Sequence, residues 1–278
     1  MEYDAEITHD EESASMAEAV AAFHAATEPD LPEIEQPRDG IVHLMHGLAD
    51  SVGERQKKAE VRELTGEDEE ILSRLRTTDF NYVVNLTDMI IRRGTLRVGD
   101  IDTQADPSVL GDLLVADRDL LFKEIIITTF GEHREFEEIE CPTCSAKNDV
   151  RLDVEAILNV TELENDDPTF VVELRDGTKL SLHYMTGKDQ RQVFDSPKQL
   201  TMAEFNTRTI AQCLDEVNGE KAVRKMAYAT QMGMEDRRKV LAAMQKGPSV
   251  RFKEVEVPCP ACESKIPFVF GWADLLPL

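Results

Sequence analysis

Two short phrases in the chain carry thiols at metal-ligand spacing, "CPTC" from Cys141 to Cys144 and "CPAC" from Cys259 to Cys262. A tight turn that presents two thiolates supplies two corners of a tetrahedron, and a second such turn supplies the other two. The proline after the first cysteine of each pair fixes φ and removes a backbone donor the turn does not need. An offset of 118 positions aligns more than the cysteines. It pairs Pro142 with Pro260, Lys147 with Lys265 and Ile139 with Val257, then Val150, Leu152 and Val154 with Phe268, Phe270 and Trp272. Apolar residues at every second position put one face inward, so each phrase is predicted at the tip of a β-hairpin. The two hairpins read as pseudo-equivalent halves of one unit.

Four thiolates leave no open coordination position, so the chemistry expected of Cys141, Cys144, Cys259 and Cys262 is a structural zinc site and not a catalytic one. Disulfides are disfavoured in a reducing compartment, and thioredoxin-type chemistry sets one such pair at a helix start, not two at hairpin tips. Iron of the rubredoxin kind has the same four-thiolate geometry and stays open beside zinc. The long insertion between the pairs is no obstacle, because loop-closure entropy grows only logarithmically with length. Metal binding worth on the order of 10 kcal/mol would tie the middle of the chain to its far end.

The remaining candidates read more plainly. Cys213, in "TIAQCLDEV", is expected to be a small buried hydrophobe. His133 stands near Cys141 but four cysteines already complete a shell, and His183 is expected as an exposed side chain on a strand. Asp117 and Arg118 are expected as a charge pair at the start of an apolar helix, where the dipole favours an acid. No phosphate-binding loop, dinucleotide fingerprint, zinc-protease helix or nucleophile elbow is present. Carboxylates are too many for an acid/base pair to be singled out, so no catalytic centre is nominated.

The elements that must position these residues follow from composition and period. The 278 residues are 41% hydrophobic, 31% charged and only 6% aromatic, which fits a soluble chain with an aliphatic core. No apolar run reaches the roughly 18 residues of a membrane span, and the start, "MEYDAEITHDEE", has no signal-peptide pattern, so a cytosolic location is expected. A net charge of −24 repels polyanions and argues against nucleic acid as partner. Charge is nevertheless two-ended. Between Glu2 and Asp39 twelve acids face one base, Arg38, whereas nine bases between Lys221 and Lys253 face only Glu235 and Asp236.

Residues 1–40 therefore read as an acidic, extended or disordered arm, with Val20, Phe23 and Leu31 as possible anchors and the basic helices after Lys221 as a place to dock. Residues 41–131 read as a helical unit. One helix starts at Thr65, three residues before Asp68 in a capping-box spacing, a second covers 78–94, and a third covers 106–131 with a break near Ala116. Residues 132–278 read as a split unit resembling a zinc ribbon, with knuckles at 139–154 and 255–272. Between them lie a hairpin at 168–185, turned by Asp176-Gly177, and helices at 198–246. The expected fold class is α+β.

With "VRELTGEDEE", "LLVADRDLLFKEIIITTFG" and the paired cysteines flanking a strand-and-helix insertion in view, the sequence from Val61 onward resembles the T4-type baseplate proteins, or baseplate hub assembly chaperones, of contractile-tailed bacteriophages. The resemblance implies a role in baseplate assembly through protein contacts. Its expected partners are other tail and baseplate proteins, such as hub or tape-measure proteins, met in the host cytoplasm and in the virion tail. Length and the acidic arm set the chain apart from the short chaperones, and a rigid zinc-clamped body with an extended arm suits a retained joint between several proteins better than a transient chaperone. A zinc ribbon that binds nucleic acid or the transcription machinery is the alternative, drawn from the Lys221–Lys253 segment. An enzyme using an acidic pair is the least favoured reading.

Overall fold

The structure is a computed structural model that describes residues 38–163, 166–196 and 198–276. The acidic arm and the docking expected of it lie outside the described residues.

The described chain begins with two antiparallel strands, β1 (Asp39–Ala49) and β2 (Arg55–Arg62), which corrects the expectation of a purely helical unit over 41–131. Their period is two: Val42, Leu44, His46 and Leu48 alternate, as do Ala59 and Val61, and all six are buried. Helix α1 (Gly66–Leu72) starts at the expected capping box, with Asp68 accepting from the Thr65 amide at 2.9 Å. Helix α2 (Tyr82–Gly94) leads directly into β3 (Thr95–Val98) and β4 (Ile101–Asp102), giving a sheet in the order β1-β2-β3-β4. Gly94 is required by close approach, since a Cβ there would lie 2.7 Å from the Ile125 side chain.

The third expected helix breaks at Leu113 and Leu114, two positions before Ala116, close to where a break was expected. A 3-10 turn (Pro107–Asp112), capped by Asp106, precedes α3 (Val115–Phe130), which ends at Gly131 with φ 87°. Helix α3 lays Leu121, Phe122, Ile125 and Ile126 against the first sheet, forming an aliphatic core with Val42, Ala59, Val61, Ile90 and Ile91.

From there the chain forms the hairpin β5 (His133–Glu140) and β6 (Lys147–Asp153), then β7 (Leu158–Thr161). The expected hairpin follows as β8 (Thr169–Glu173) and β9 (Lys179–His183), turned at Gly177 with φ 85°. Helices α4 (Gly187–Phe194) and α5 (Met202–Cys213) come next. The run of helices expected over 198–246 is interrupted by β10 (Leu214–Val217) and β11 (Glu220–Lys221), because Leu214 and Val217 pair with Leu182 and Leu180 of β9. Helices α6 (Lys225–Gln231) and α7 (Met234–Met244) pack with that sheet on a second core of Leu180, Leu182, Ile210, Leu214 and Val240.

Strand β12 (Ser249–Phe252) then pairs with β7, Leu158 opposite Phe252 and Thr161 opposite Ser249. This pair forms a neck through which the insertion leaves and re-enters. The chain closes with β13 (Val255–Pro258), β14 (Lys265–Phe268) and a 3-10 turn (Trp272–Leu275) that returns Leu275 to the first core. The fold mixes helix and sheet throughout.

Candidate metal centre

The two cysteine hairpins repeat each other residue for residue. In the first, Ile139 faces Asn148 and Glu140 faces Lys147; in the second, Val257 faces Ile266 and Pro258 faces Lys265. The turns match as well. The Cys141 amide donates to the Ala146 carbonyl at 2.9 Å and the Cys259 amide to that of Ser264 at 2.8 Å. Ser145 and Glu263 donate back to the carbonyls of Cys141 and Cys259 and hold left-handed φ values of 57° and 59°. Even the flanking ion pairs correspond, Lys147 with Glu138 and Lys265 with Glu256. The hairpins differ in one bulge: Glu138, at φ 56°, adds a residue to β5 and turns its amide to Asp149.

Four sulfurs meet between the tips. All lie within 4.8 Å of one another, and the contacts Cys141–Cys262 and Cys144–Cys259 are each 3.7 Å. A disulfide would bring two of them to about 2.05 Å. A tetrahedral metal with bonds of about 2.3 Å to sulfur sets its ligands about 3.8 Å apart, which the two cross-hairpin contacts already match. The first cysteine of each pair is fully buried, while Cys144 is exposed at the rim. Hydrogen bonds from the hydroxyl and amide of Ser264 pull the Cys262 thiol down to about 6, and the Ala261 amide lowers Cys259. Although the Ala146 amide favours its thiolate, Cys144 is pushed up to about 12 by the sulfurs of Cys262, Cys141 and Cys259 crowding it. A cation bound among them would replace protons the cluster otherwise shares unevenly.

The hairpins are held by groups that sequence reasoning missed. Arg134, buried at the start of β5, donates to the carbonyls of Ile126 and Phe130 at the end of α3, at 3.1 and 3.2 Å, and to that of Leu275 at 2.8 Å. It thus caps the helix that supports the first hairpin and fastens the turn that follows the second. A run of rings leads from the sulfurs to α3: Phe136 against Phe268 and Phe270, Phe270 against Phe252, Phe252 against Trp272, and Trp272 edge-on to Phe122 at 5.3 Å. The alternation of Phe268, Phe270 and Trp272 was the signal for this run. An arginine among many charged residues gave none.

A family model described as T4 bacteriophage base plate protein matches residues 47–276, most of the chain and all four cysteines. The chain belongs to that family. Comparison with curated proteins and with solved structures gives no match. Membership makes it a bacteriophage baseplate protein, suggests a structural role and implies contact with other baseplate and tail proteins. Among the described residues no helix is long and apolar enough to cross a membrane.

The other sequence candidates fall away from the sulfurs. His133 sits at the opposite end of its hairpin, 3.8 Å from Asp153. Cys213 is buried in the second core, where burial pushes its thiol up, as expected of a small hydrophobe. Asp117 and Arg118 are more than a charge pair at a helix start. Asp117 takes the amides of Met45, His46 and Gly47, which the bulge in β1 removes from the strand ladder. Burial pushes its carboxyl up while these three amides favour its charge. Arg118 donates to Asp88 at 2.6 Å and to the Leu110 carbonyl at 2.9 Å. His183, expected to be exposed, is instead held between Asp215 at 2.8 Å and Asp189 at 3.1 Å. Those carboxylates come from β10 and the first turn of α4, so only the folded chain reveals the pair.

Proposed function

We propose that the protein is a retained, non-enzymatic joint of the baseplate hub region, assembled in the host cytoplasm, and that its metal is a structural zinc held by Cys141, Cys144, Cys259 and Cys262. The observation that carries this reading is the closed set of four sulfurs from two hairpins 118 residues apart. Such a shell has no position left for a substrate or an activated water, so the ion's work is mechanical. It fastens the C-terminal hairpin to the one that follows α3 and makes a rigid end from which neighbouring subunits can be held. The split zinc-ribbon description of residues 132–278 belongs to the same proposal.

The nucleic-acid reading draws less support. Several of the cations between Lys221 and Lys253 are engaged within the chain: Arg237 on the carbonyls of Ala229 and Ala203, Lys239 on that of Glu173, Arg251 on that of Gln245 and Lys253 on that of Ala156. Elemental analysis of the purified protein tests the metal, with one zinc per chain expected and none after Cys259→Ser and Cys262→Ser together. Mass spectrometry of purified virions tests retention; absence of the chain from tails would overturn it in favour of a transient chaperone.

A further inference from the structure

The insertion differs from the rest of the molecule in charge. Residues 162–248 hold 13 basic and 14 acidic side chains, whereas the remaining chain holds 18 and 41. Within this nearly neutral island α7 has two contrasting sides. Val240 is buried, with Ala243 and Met244 packed on the second core, and Asp236 and Lys239 are tied to Arg175 and to the Glu173 carbonyl. The opposite stripe, Met234, Arg238, Ala242 and Gln245, recurs at spacings of three and four and faces outward. Met234 is 87% exposed. Along this stripe runs a groove of about 300 Å³, walled by Met234, Arg237, Arg238, Leu241, Ala242 and Gln245.

Arg237 is committed to the fold through Thr207, Ala229 and Ala203. Arg238 and Lys246 are not: among the described residues neither pairs with a carboxylate, although the protein carries 24 more acids than bases. Arg238, one helical turn from the exposed Met234, and Lys246, just past the end of α7, are unpaired cations that reward a partner with acids on one face and apolar side chains on the other.

We propose that the outward stripe of α7 is a docking groove for an acidic amphipathic helix of another tail protein, whose apolar face covers Met234, Leu241 and Ala242 while its carboxylates meet Arg238 and Lys246. This rests on the baseplate reading and names the chemistry of one partner. Complementary charge selects the segment: the acidic remainder of the surface repels it and this island does not. An acidic helix fits better than a nucleic acid, because a polyanion gains nothing from the exposed methionine and is repelled by the net charge.

The test places a photo-crosslinking amino acid at Ala242 in the full-length protein during phage infection and sequences the cross-linked peptide. The expected product is a peptide from another tail protein, net acidic, with apolar residues at helical spacing. Its yield should fall about tenfold or more in Arg238→Glu with Lys246→Glu, and be kept in Arg238→Lys with Lys246→Arg. A product that is nucleic acid, a second copy of this chain or a non-acidic peptide, or a yield unmoved by charge reversal, overturns the proposal. So does the absence of any product when the chain is found in the tail fraction. If the chain is missing from tails and deleting its gene leaves baseplates intact, the baseplate role itself fails, which is a separate outcome.

Discussion

The two cores of this protein are built by opposite strategies. The first gathers residues from Val42 to Leu276, so its contacts join chain segments separated by most of the sequence. The second is made almost wholly of one continuous stretch, Phe170 to Met244, closed at its base by the β7–β12 neck. Non-local closure costs more chain entropy before contacts repay it. The devices that answer that cost lie with the first core: the four-sulfur cluster, Arg134 across two chain segments, and Asp117 on the bulged strand. The second core relies on local devices, such as the Asp176-Gly177 turn and the capping boxes at Thr186 and Thr201.

This contrast can be broken at its strongest point. On the proposed metal site, replacing Cys259 and Cys262 together by serine removes binding worth on the order of 10 kcal/mol. Hydrogen exchange should then show loss of protection in β5, β6, β13, β14 and the final turn, while β8 and β9 stay protected. Equal loss in both regions would mean that the insertion does not stand by itself.

A smaller effect is expected at Asp117. Alanine there strands the amides of Met45, His46 and Gly47 away from any acceptor, a penalty of roughly 3 kcal/mol or more that a denaturation midpoint would report. The first core should carry that loss, with β8–β9 protection unchanged.

In the second region His183 offers a test with a sign. Hydrogen bonds to Asp189 and Asp215 raise its pKa above the ordinary value of 6.5. The clamp is therefore complete below that value and lost as pH rises through the higher folded pKa. Stability measured against pH should decline across this interval in the wild type and stay flat in His183→Gln, with a gap of roughly 2 kcal/mol at the acid end. Both ring nitrogens bound to carboxylates in the nitrogen NMR spectrum at pH 6 would confirm the imidazolium. The least effect is expected from Thr201→Ala, about 1 kcal/mol from the lost cap of α5, read from the same unfolding curves.

The parts of the fold legible in the sequence were those specified over a few residues. The Thr65–Asp68 spacing started α1, Gly131 ended α3, and Asp176-Gly177 turned β8 into β9. The alternation of Val42, Leu44, His46 and Leu48 was equally local, but a β reading of 41–62 needs the partner strand, and the charged residues of β2 mask Ala59 and Val61. Leu214 to Val217 continued a helical pattern until β9 offered them a ladder. The four sulfurs came together as the doubled phrase implied, whereas His183 gave no sign of two carboxylates 6 and 32 positions away.

By itself the sequence determined the knuckles. Chain chemistry within six residues sets each turn, and an offset repeated in cysteine, proline and lysine marks the two turns as halves of one four-sulfur cluster. Tertiary structure alone decided what holds that cluster in place and what faces outward. Buried charges such as Arg134 and Asp117 find partners from distant segments, and their burial is a property of the packed core, not of the residue type. The open stripe of α7 is likewise defined by the face the second core leaves uncovered.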